Sequence, residues 1–93
     1  MPNFIVRFQL DNATNNDYLK LKRLLIPAGF TKEIKADNGT PYILPQGTYL
    51  ASTEKDKNHV LEVAINVVRR LQLRYKILVT ESAGSAWINL DPA

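Results

Sequence analysis

At 93 residues the chain has room for one domain around one modest core, which excludes a second domain. An apolar share of 45% with 23% charged residues excludes intrinsic disorder, and the lack of cysteine excludes a disulfide framework, a thiolate metal site and a cysteine nucleophile. The net charge of +3, from 12 basic and 9 acidic residues, leans toward polyanionic partners, and no run approaches the ~18 apolar residues that span a bilayer, so a cytoplasmic protein is expected.

Phe4, Val6, Phe8 and Leu10 alternate with Ile5, Arg7 and Gln9, the period of a strand with one face on a core. Turn formers and several candidate caps fill Asp11 to Asp17, after which Tyr18, Leu21, Leu24, Leu25 and Ala28 recur at helical spacing. The spacing predicts a helix over about Asn16–Ile26, ended by the bias of Pro27 against helical dihedrals at Ile26 and by the left-handed exit that Gly29 offers. Phe30, Lys32 and Ile34 oppose Thr31, Glu33 and Lys35 in a second strand leading to Asn38-Gly39, a type I′ hairpin signal. Pro41 and Pro45 make the return irregular, and pairing resumes over Thr48–Ser52. Thr53 to Asp56 has the spacing of a capping box, and Val60, Val63, Ala64, Val67, Val68 and Leu71 form the apolar stripe of a second helix over Lys55–Leu71. Arg74, Lys76, Leu78 and Thr80 alternate with Tyr75, Ile77 and Val79 in the last main strand. Two strand–helix–strand halves with right-handed crossovers predict an α+β, ferredoxin-like βαββαβ domain over residues 1–93, its four-stranded antiparallel sheet carrying both helices on one face. Residues 82–93 form a tail around Ala86-Trp87-Ile88, a candidate extra strand at a dimer interface formed by Trp87 and Ile88.

Nucleophile triads, phosphate-cradling glycine loops and paired histidines are missing, and His59 alone reads as a helix-surface residue. Asp11 sits where a strand hands over to a helix, either as a turn residue or as a candidate catalytic carboxylate and metal ligand. Two copies about a dyad would let two such carboxylates share one Mg²⁺ and activate water. Lys20, Lys22 and Arg23 form one basic group, and Arg69, Arg70, Arg74 and Lys76 a second with no acid among them. Such clustering suits phosphate contacts, although Arg69 and Arg70 equally complement a helix C-terminus.

The stretches Phe4-Ile5-Val6-Arg7-Phe8, Tyr18 to Leu24, Gly29-Phe30 and Gly39-Thr40-Pro41 with Leu44 resemble the GhoS-like antitoxin endoribonucleases of type V toxin–antitoxin systems. More distantly, the chain is similar to the CRISPR-associated ferredoxin-like metal nucleases that dimerise. The resemblance spans roughly Phe4 to Thr80 and implies RNA binding or metal-assisted RNA cleavage, with a toxin mRNA as one candidate target and a homodimer as the assembly. The nuclease relatives place an Asp where Asp11 stands, whereas the antitoxin group places its own where this chain has Gln9; basic residues of that group fall on Lys20 and Lys22. The rival expectation is a non-catalytic dimeric interaction module that regulates a protein partner.

Overall fold

The alternation of the first strand fixes which side of the sheet is covered. In the computed structural model, which describes residues 1–93, β1 spans Asn3–Leu10 and buries Phe4, Val6, Phe8 and Leu10 on one face. The chain continues through α1 (Asn15–Leu25), β2 (Phe30–Thr31), β3 (Glu33–Lys35), β4 (Pro41–Ile43), β5 (Thr48–Ser52), α2 (Lys57–Val68) with a 3-10 turn at Arg69–Leu71, and β6 (Tyr75–Ser82). Four strands form an antiparallel sheet in the order β2-β5-β1-β6, and β3 pairs with β4 in a separate small sheet. The edges of the main sheet differ: β6 presents eight residues and β2 only two.

Leu21 and Leu25 of α1 and Val60, Ala64, Val67 and Val68 of α2 share one apolar cluster with the buried face of β1, so both helices cover the same side of the sheet. Phe8 stands edge-on to Phe30 and Tyr49, with ring centroids 6.3 and 5.8 Å away. Truncating a fully buried leucine such as Leu21 to alanine would cost about 2–5 kcal/mol. No helix is long and apolar enough to cross a membrane.

Local differences from the expected elements have local causes. Ile26 keeps helical dihedrals (φ −56°, ψ −50°) despite Pro27, because its N–H bonds Lys22 O and the closing turn continues through Ala28 N–H to Leu25 O; Gly29, at φ +101°, makes the exit. The capping box forms at Thr14, whose hydroxyl accepts from Asp17 N–H while the Asp17 carboxylate accepts from Thr14 N–H at 2.8 Å. At α2 the cap is Asp56, accepting from His59 N–H at 2.9 Å, whereas Thr53 only closes a short turn with Lys55 N–H. The expected second strand divides at Lys32, its first part joining the main sheet and its second the small one. The hairpin is not type I′, which needs positive φ at two successive residues: only Gly39 has it, while Asn38 instead accepts from Thr40 N–H through its side chain.

The tail turns back along β4 of its own chain. Ile43 N–H bonds Asp91 O at 2.8 Å and Ala93 N–H bonds Pro41 O at 3.2 Å, and the Trp87 ring lies 5.7 Å from that of Tyr42. Residues 86–90 form no strand.

Candidate nucleic-acid interface

Helices cover one face of the sheet and leave the other open, and strand register determines which side chains meet there. On this open face Gln9 lies opposite Lys76, Arg7 between Thr48 and Leu78, Ile5 between Leu50 and Thr80, and Asn3 between Ser52 and Ser82. The residues of β1, β5 and β6 on this face thus include two cations and no carboxylate. Arg7 and Lys76 share a surface hollow with Gln9 and Leu78, and Leu78 is 63% exposed. Toward the other end of β1 the face deepens into a cleft of about 560 Å³, walled on one side by the main sheet and on the other by the β3–β4 hairpin and the tail. Its lining includes Asn3, Thr31, Ser52, Ser82, Ser85 and Trp87, with Glu33, Lys35 and Asp37 contributed by the hairpin.

The basic residues singled out in the sequence do not form one surface. Arg69, Arg70 and Arg74 are exposed at the end of the sheet where β1 stops and β6 starts, with Lys76 one step onto the open face. Arg7, on the same face, extends this group. Lys20 and Arg23 share one flank of α1 through their i, i+3 spacing, while Lys22 projects from another, close enough to Lys32 to disfavour a second positive charge there.

Asp11 is partly exposed in the turn after β1, its N–H bonded to Arg74 O at 3.0 Å. Nowhere do three residues from His, Cys, Asp and Glu gather, so one copy offers Mg²⁺ a single Asp11 carboxylate and does not by itself make a site for the ion. Asp11 and the tail lie at opposite ends of β1, roughly 23 Å apart along the strand. Contact between two tails therefore does not of itself bring two Asp11 side chains together. Trp87 is partly buried against Tyr42 and Ile88 is 81% exposed. His59 is a surface residue of the first turn of α2.

Two features escape sequence reasoning. Lys32 donates to Pro45 O and, at 3.0 Å, to Thr48 O, with its ammonium 4.6 Å from the centre of the Tyr49 ring. Burial first, and Lys22 second, lower its pKa to about 8, and burial pushes the Tyr49 phenol up to about 12. The signal was an ammonium on the inward side of a strand, between Phe30 and Ile34. The other is the pairing of Arg7 with the Lys76 end, visible only once β1 and β6 are set in register. A comparison with protein-family models gives no match for this chain, and no curated protein matches it.

Proposed function

We propose that this chain is an RNA-binding protein of the GhoS-like antitoxin kind, built on a ferredoxin-like frame. Numbered within the main sheet alone, the strands run 2-3-1-4 in space with both helices on one side, an order that supports a split βαβ frame with the β3–β4 hairpin as an insertion. The observation that carries the binding reading is the collection of Arg7, Arg69, Arg70, Arg74 and Lys76, all exposed, around one end of the sheet. Single-stranded RNA laid there exchanges condensed counterions for these cations, and affinity accumulates with each contact. Lys20 and Arg23, on one flank of α1, are a second, separable patch.

The test is titration of pure protein into labelled single-stranded RNA at several salt concentrations, with Mg²⁺ and with EDTA. Binding should weaken with salt at a logarithmic slope of about −0.7 for each phosphate contact, and reversal of Arg74 and Lys76 to glutamate should weaken it for all sequences alike. Unchanged binding by that variant would remove the reading. Cleavage that needs Mg²⁺ and disappears in Asp11→Asn would extend the function to an endoribonuclease, and intact RNA throughout would leave it a binder. Exposed Leu78 and Ile88 favour a second reading, the dimeric interaction module, for which light scattering should find two copies and no RNA affinity.

A further inference from the structure

The open face is segregated by charge along β1. The cations of its strands, Arg7 and Lys76, stand at one end; at the other, amide and hydroxyl groups from Asn3, Ser52 and Ser82 line the cleft beside the charged hairpin residues, with Ile5 and Leu50 forming an apolar floor between. We infer that this cleft is a base-binding subsite, taking one unstacked base of a single-stranded nucleic acid against Trp87 while Arg7 and Lys76 hold the adjoining phosphates. The inference rests on the RNA-binding reading and adds to it where, and by which group, the strand is held.

Asn3 and Arg7 are about 13 Å apart along β1, within the reach of a few extended nucleotides. A volume of about 560 Å³ lies in the range of small-ligand pockets and is ample for a base with its ribose. Glu33 and Asp37 in the lining disfavour a phosphate there, despite Lys35 between them, and can accept from the N–H groups that base edges carry, the uracil imide included. Trp87 is packed on Tyr42 and still lines the cleft, which holds an aromatic surface ready for stacking. Among the side chains that β1, β5 and β6 turn to this face the only charges are Arg7 and Lys76, which a polyanionic strand complements and the same strands of a second copy do not.

Trp87 is the sole tryptophan, so its emission reports on the cleft directly. Oligouridylate should quench it along the same binding curve that anisotropy of the labelled oligomer follows. Trp87→Ala should weaken binding about tenfold or more, and Trp87→Phe should restore most of the loss. RNA binding with unmoved emission and an indifferent Trp87→Ala would overturn the subsite and leave the RNA-binding reading intact, whereas no binding by either readout would end both. A dimer that Leu78→Glu dissociates, with emission following protein concentration and not RNA, would assign the face to a second copy and also overturn the proposal. The emission readout uses the unaltered chain, so it holds even if a variant fails to fold.

Discussion

Of the four glycines, only Gly47 has other atoms of the chain pressed against its Cβ position. It is buried at φ +80°, its carbonyl accepts from Phe8 N–H at 2.7 Å, and a Cβ added to it would collide with Phe8 O, backbone that cannot give way. Gly47→Ala should therefore lower stability by about 2 kcal/mol or more, read from the urea midpoint, and an unchanged midpoint would contradict the close approach. Nothing in Pro45-Gln46-Gly47 distinguishes this glycine from an ordinary turn residue, because the constraint comes from a strand far away in sequence. Lys32 and Tyr49 make stability depend on pH in opposite directions. The folded state releases the Lys32 proton at about 8 against 10.5 when unfolded, so between those values the unfolded chain holds more protons and stability rises with pH. Tyr49 keeps its proton to about 12 against 10.0, so stability falls as pH climbs through that interval. Together they place a maximum near pH 10, and Lys32→Met should flatten the rising limb in urea melts taken between pH 8 and 12.

At the scale of elements, helix positions were legible and helix starts only partly so. Thr14-x-x-Asp17 and Thr53-x-x-Asp56 have the same capping-box spacing, yet only the first is used as a box; in the second, the burial of Val60 and Ala64 sets a helix phase that makes Asp56 itself the cap. Thr14→Ala should cost about 1 kcal/mol in thermal or urea melts. The junction of α1 with β1 has a further link, since Leu10 N–H donates to the Tyr18 phenol at 3.1 Å where pairing with β5 has already stopped. Tyr18→Phe should leave that N–H without its partner and lower stability by about 1–2 kcal/mol, detectable against an unaltered fold by circular dichroism. Strand periodicity located β1, β5 and β6 well, because each has one face on the common core. It failed at Lys32, where a continuous alternation hides the passage from one sheet to another.

For the molecule as a whole, two strand–helix–strand halves sufficed to expect an α+β fold with a four-stranded antiparallel sheet, since period and apolar content alone carry that information. The small sheet and the course of the tail were not legible: β4 starts at a proline, and its bonds to Asp91 and Ala93 join segments that local propensity does not connect. Basic residues were legible as types, while their division between α1, the sheet end and the open face needed the fold. Because the tail is tied to β4, removing residues 85–93 should speed amide exchange at Ile43, whose N–H bonds Asp91 O, and leave β1 protected; equal protection in both would show that the tail contributes no order there. The unequal sheet edges bear on assembly. At β2 the edge ends after two residues, where the chain leaves for the hairpin, so an incoming strand finds little to pair with, whereas β6 is open along eight. Two copies meeting β6 to β6 would consume both long edges at once, so association by strand pairing closes at a pair and cannot propagate into a filament.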